Sequence, residues 1–331
     1  MTDSAVLIIK KVIENHLRFL DNPFSPNSPE LQAIINQLIQ GKPHLKSIRL
    51  YQYLVESFLL AGGGDQSNLG YYARQKVKPT FNRVRKGLKA AKCQNLGSFD
   101  AFAGCGYQKT KKTCGEPGLL PSCPLPEFDM KKGALNRMAF SLYLFLRDFC
   151  KNDFYGFVRE HFDDGQLPYL ELKARLEAFI TEVTRIANVG PKLAFMAFSG
   201  LFLTKYPGWD YRRVGAQMIA VDSLVHNFLH RTGILGLYEN NHKYGPRCHT
   251  ENGCLGVVED LALKIDCRKF NRSYPAYFPR FIQSRLWWYC AKDGVNVCNL
   301  NKCREGKPNL DCDLYKTKLC QLFPPQRKGT V

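Results

Sequence analysis

Acidic residues are in short supply in this chain of 331 residues: 29 Asp and Glu stand against 47 Lys and Arg, leaving a formal charge of +18. A surplus that large favours a polyanionic partner, with nucleic acid first and a membrane surface second. Long apolar runs are missing too. The longest, Leu193 to Leu203, is broken by Ser199 and Gly200 and falls short of the roughly 18–20 residues a spanning helix needs. The basic residues do not gather on an amphipathic anchor helix, so no membrane partner is expected. The opening MTDSAVLIIKKVIENHLRFL starts acidic and holds only a short aliphatic run. It lacks the form of a signal peptide, and an intracellular protein is expected. No stretch alternates polar and apolar residues as a half-buried strand would, and there is no internal repeat or low-complexity tract.

What is present is helical periodicity, and 45% hydrophobic residues to fill a core. Apolar positions at three- and four-residue spacing predict helices near Ser4–Leu20, Pro29–Gln40, Leu45–Ala61, Leu135–Cys150, Phe154–His161, Tyr169–Ala187, Lys192–Thr204, Ser223–Arg231, Val257–Ile265 and Tyr277–Cys290. The fold class is therefore all-α. Two stretches interrupt it as loops: Gly106–Lys132, rich in Gly, Pro, Lys and Cys, and Asn240–Gly256. Between Arg74 and Lys92 the basic residues, Arg83, Arg85 and Lys86 among them, have no acidic neighbour in sequence. A solvated helix face and a phosphate contact explain such a run equally well.

Cysteines number 13, many for an intracellular chain, where clustered thiols more often bind metal than pair. Cys290, Cys298, Cys303 and Cys312 lie within 23 residues and can converge on one metal centre, with Cys320 as a spare. Zinc and unliganded thiols are the alternatives to iron. Cys93, Cys105, Cys114 and Cys123 contain no short pair, so buried or free thiols are the default there and a second metal site the alternative. The same holds for Cys248, His249 and Cys254.

The most informative stretch is TRIANVGPKLA, Thr184–Ala194. A helix ends, Asn188-Val189-Gly190-Pro191 turns, and a second helix starts at Lys192. Gly190 permits a left-handed backbone and Pro191 suits the first helical position. Backbone N–H groups at such a start can hold one DNA phosphate without reading sequence. Further on stands Ile219-Ala220-Val221-Asp222-Ser223-Leu224-Val225, ahead of a helix.

These two segments resemble the helix-hairpin-helix DNA glycosylases, especially the endonuclease III-like branch, with its hairpin L-P-G-V-G-x-K-x-A and its segment V-D-T-H-V. Asn188 replaces the first hairpin glycine, Ser223-Leu224 replaces Thr-His, Asn227 stands where an arginine is common, and Tyr206–Gln217 lengthens the connection. The resemblance implies a nucleophilic Lys192 and a catalytic Asp222, with Asn188 and Gly190 on DNA and Gln66 in a loop that fills the space of a flipped base. It implies a [4Fe-4S] cluster on Cys290, Cys298, Cys303 and Cys312, in a loop whose Lys302, Arg304 and Lys307 meet phosphate. The implied architecture is a helical barrel lobe over 44–215, carrying the hairpin at 187–192 and an insertion near 93–132, and a second lobe from 1–43 plus 216–331. The implied partner is double-stranded DNA with a damaged or modified base, bound by a monomer. The implied activity is base excision, with strand cleavage if Lys192 forms a Schiff base. Each residue also has a plainer role, Asp222 as a helix N-cap and Lys192 as a phosphate contact. A glycosylase without lyase activity and a non-enzymatic DNA-binding scaffold remain the other readings.

Overall fold

A computed structural model of the chain describes residues 2–17, 28–42, 46–61, 66–133, 135–162, 167–291, 294 and 312–316. Among these there is no strand, and the β-bridges are the isolated pairs Gln108–Thr113 and Tyr206–Trp209. The protein is all-α. No described helix is long and apolar enough to cross a membrane.

The chain divides into two compact units, Pro26–Val214 and a second made of Met1–Ser25 with Gly215–Val331. The first contains α2 (Pro29–Gln40), α3 (Lys46–Ala61), α4 (Gln66–Arg74), α5 (Phe81–Ala90), α6 (Phe99–Phe102), α7 (Asn136–Leu144), α8 (Phe154–Phe162), α9 (Tyr169–Val183) and α10 (Pro191–Leu203). Its N-terminal limit lies at residue 26 and not near residue 44 because α2 buries Ile34, Ile35 and Leu38 while packing on α3, α8 and α10. The apolar face of α2 thus belongs to this core.

The centre of that core is aromatic. Phe179 of α9 is fully buried, with ring centroids of Phe157, Phe162 and Phe198 at 5.5 Å and Phe202 at 5.6 Å. Edge-to-face and tilted contacts of this kind add stabilisation beyond simple burial. Helix α10 can carry a nearly continuous apolar sequence because neighbours cover most of it: it packs on α3 and α9, and Tyr53 donates to the Ala197 carbonyl at 2.7 Å.

Several elements differ from the periodicity. The helix expected over 135–150 runs as α7 and then widens into a π-turn at Phe145–Phe149. That over 169–187 stops at Val183, where the hairpin begins. Helices α4 and α5 were not expected from apolar spacing. In α5 only Phe81, Val84 and Leu88 are buried, amid a basic surface. The stretch 106–132 is irregular and tied down at its end by buried Asn136, whose amide donates to the carbonyls of Leu125 at 2.9 Å and Phe128 at 2.6 Å and accepts from Met130 N–H at 3.1 Å.

Helix α11 (Arg212–Gln217) carries the chain from the first unit into the second, which contains α1 (Thr2–Leu17), α12 (Ser223–Arg231), α13 (Ile234–Leu237), α14 (Cys254–Leu263), α15 (Pro279–Cys290) and a single turn at Asp313–Lys316. Helix α15 is its axis, packing on α1, α12 and α14. Ile9, Ile13, Phe228, Phe281 and Leu286 are fully enclosed there.

Replacing Phe179 with Ala would remove one ring from contact with several others. Urea titration is expected to show a loss of about 3–5 kcal/mol; a loss below about 1 kcal/mol would mean that the aromatic cluster is not the centre of this unit.

Candidate functional site

The hairpin between α9 and α10 is built by local sequence. Ile186 N–H donates to the Val183 carbonyl and Val189 N–H to the Ile186 carbonyl, while the Ile186 and Val189 side chains are buried. The left-handed residue is Asn188, at φ 63°. Gly190 is not left-handed as its type allowed; it is extended, at φ −94° and ψ 171°, and stands at the N-cap of α10. Asn tolerates the left-handed region best after Gly, so the turn moves two residues upstream. Having no side chain, Gly190 cannot cap α10, and a Cβ there would meet nothing within 4 Å. Pro191 follows at the first helical position, and Lys192, half-buried, comes next.

Asp222 lies in the other unit. Its backbone is extended and its Oδ1 accepts from the N–H groups of both Leu224 and Val225 at 3.0 Å. The plainer reading of Asp222 as a helix N-cap is thus realised, with the side chain half-exposed. Among the described residues Oδ2 forms no hydrogen bond. Burial pulls the Arg280 guanidinium down to about 10, and the Asp222 charge acts in the opposite direction.

One turn further along α12, His226 enters a group that sequence reasoning did not assemble. His226, His242, Cys248 and Cys254 bring their ligand atoms within 4.8 Å of one another and could hold a metal ion. His226 Nδ1 lies 3.3 Å from Cys254 Sγ and 3.4 Å from Cys248 Sγ. His242 Nε2 lies 3.4 Å from Cys248 Sγ and 3.5 Å from Cys254 Sγ. Metal–sulfur bonds of about 2.3 Å and metal–nitrogen bonds of about 2.05 Å at the tetrahedral angle require N···S edges of about 3.5 Å. Two thiols have two protons to donate between them, too few to make all four contacts linear S–H···N bonds. A central cation satisfies all four.

Electrostatics agree with a ligand role. Burial, then the charges of His242 and His230, lower the His226 pKa and keep its imidazole neutral. Burial, then the neighbouring Cys248, pushes the Cys254 thiol far up. Two adjacent buried thiolates need a positive ion between them. The loop is shaped to close: Gly253 and Gly256 sit against the carbonyls of Arg247 and Glu251, where a Cβ would come within 1.7 and 1.8 Å. Cys248 and Cys254 were grouped in sequence with His249. The two histidines that complete the set come from a helix and from the same loop, 22 and 6 residues before Cys248; the distance along the chain concealed His226, whereas the even spacing of His242, Cys248 and Cys254 was a signal open to sequence.

Tyr244, on the same loop, has its ring 5.8 Å from that of His226 and is half-exposed. Burial, then the Asp222 charge, raises its pKa. The ligand loop therefore lies beside the start of α12.

The basic run resolves into separate roles. Arg83 is paired with Glu127 at 3.0 Å, an acid far along the chain, so its charge is compensated. Arg85 and Lys86 are exposed on α5. Gln66 opens α4 where a loop was expected, and its side chain lies outside the described residues. So do Cys298, Cys303, Cys320, Lys302, Arg304 and Lys307. Of the expected cluster ligands, Cys290 and Cys312 are both buried, and Tyr289 Oη lies 3.3 Å from Cys312 Sγ.

Comparison with family models, with curated proteins and with solved structures finds no match to the chain. Metal analysis is expected to show that the Cys248→Ala/Cys254→Ala variant binds one equivalent less metal than the wild type, with a lower melting temperature. Retention should also fall on acidification, because the thiols and His226 must be deprotonated to bind. Equal metal content in both proteins would show that the quartet binds none.

Proposed function

We propose that the protein is a DNA N-glycosylase that excises a damaged or modified base, with associated AP lyase activity. The observation that carries this reading is the state of Asp222. Its carboxylate is fixed by two backbone N–H groups through one oxygen and remains half-exposed. A carboxylate immobilised in that way can stabilise the positive charge that grows on deoxyribose as the glycosidic bond breaks. It can also assist an incoming nucleophile. The uncapped start of α10 supports the reading by offering backbone N–H groups to a phosphate. Lys192 beside it is the amine for Schiff-base formation and β-elimination. Exposed Arg85 and Lys86, with the net charge of +18, supply attraction to double-stranded DNA.

The metals belong to the same proposal. Zinc is the ion we assign to His226, His242, Cys248 and Cys254, since two imidazoles and two thiolates closing a tetrahedron form a structural zinc set. Its task is to hold the loop bearing Tyr244 against α12. Cys290, Cys298, Cys303 and Cys312 are assigned the [4Fe-4S] cluster implied by the hairpin resemblance.

Asp222→Asn separates capping from chemistry, because Asn caps a helix about as well as Asp. Stability is expected to change by less than about 0.5 kcal/mol, while base release from a lesion-bearing duplex falls by about 100-fold or more. Undiminished release would reduce Asp222 to a cap. For Lys192→Ala the expected result is loss of the borohydride-trapped DNA adduct and of strand cleavage. Trapping that persists would exclude Lys192 as the amine.

A further inference from the structure

The described cysteines outside the His226 quartet include four that fold into one place. Cys93 follows α5, Cys105 lies just beyond α6, and Cys114 and Cys123 belong to the irregular stretch after it; all four line a single cavity. Leu96, Leu119 and Leu120 supply apolar wall between them.

The backbone presents a donor to one of them: Glu116 N–H donates to Cys114 Sγ at 3.3 Å. A thiolate gains more from such a bond than a thiol does.

Residues 108–123 include none that is buried. A stretch of that length with no core beneath it cannot offset its conformational entropy by apolar burial. Coordination bonds are the usual substitute for a core.

The room among the thiols selects the kind of centre. The cavity among the four thiols has about 10 Å³ of room. Sulfurs drawn in to the roughly 2.3 Å of zinc–thiolate bonds would stand about 3.8 Å apart and leave no such opening. A cubane with one iron per thiolate holds its sulfurs at roughly 6 Å. We infer that Cys93, Cys105, Cys114 and Cys123 hold a [4Fe-4S] cluster that organises the segment after α5. Binding requires each thiol to give up its proton, and no redox step is involved.

The inference does not depend on the activity proposed above, and neither does its test. Iron and acid-labile sulfide are measured on the full chain purified without oxygen, as wild type and as Cys114→Ser/Cys123→Ser. The variant is expected to lose about four iron and four sulfide per chain, whatever residues 290–312 bind. Equal iron in both proteins, or the loss of one zinc equivalent in place of iron, would overturn it. Should the variant not fold, the wild type alone decides the matter. Trypsin is expected to cut after exposed Lys111 and Lys112 only once ferricyanide has bleached the absorbance near ~400 nm. Cleavage that is the same before and after bleaching would count equally against the cluster.

Discussion

The start of α12 is held from two sides, and the candidate chemistry depends on both. Asp222 closes the helix by accepting from Leu224 and Val225 N–H, and one turn later His226 Nδ1 lies 3.3 and 3.4 Å from two sulfurs that also face His242. Neither restraint is a packing contact. The first is a charge-assisted hydrogen bond at a helix terminus, and the second is a set of two imidazoles and two thiols that could hold a metal ion. The first of them fixes one oxygen of a half-exposed carboxylate.

The same need for staples recurs wherever the helical framework gives way to irregular chain. Between α13 and α14 the loop carries His242 and Cys248, with Gly253 and Gly256 allowing backbone to approach carbonyls closely. After α5 the chain passes four cysteines around one cavity and returns to regular structure only when Asn136 satisfies the carbonyls of Leu125 and Phe128. Aromatic rings do this work inside the first unit, where Phe179 touches its neighbours from several helices. In the loop before α14 the corresponding groups are thiols and imidazoles that could hold a metal ion.

Charge is distributed accordingly. The basic run read as uncompensated contains Arg83, which finds Glu127 across a long sequence separation, whereas Arg85 and Lys86 stay exposed on α5. Sequence distance says little about such pairing, because an irregular insertion brings its acid back to the helix it left. The exposed remainder of the surplus is what a polyanion would meet.

The all-α class was legible from the sequence because periodic burial is a local property: Pro29–Gln40 and Ser223–Arg231 coincide with the helices expected there. The turn at 184–190 was legible for the same reason, although the left-handed position fell on Asn188 and Gly190 took the extended N-cap. Helices α4 and α5 escaped notice because a short helix with few apolar positions presents too little periodicity. Tertiary structure decided which histidines join Cys248 and Cys254. Ligand sets assemble across a helix, a loop and a second helix start, so that His226 and His242 join Cys248 and Cys254 only when those elements pack. Helix formation is governed by neighbours in the chain and coordination by neighbours in space, which is why one could be read in advance and the other could not.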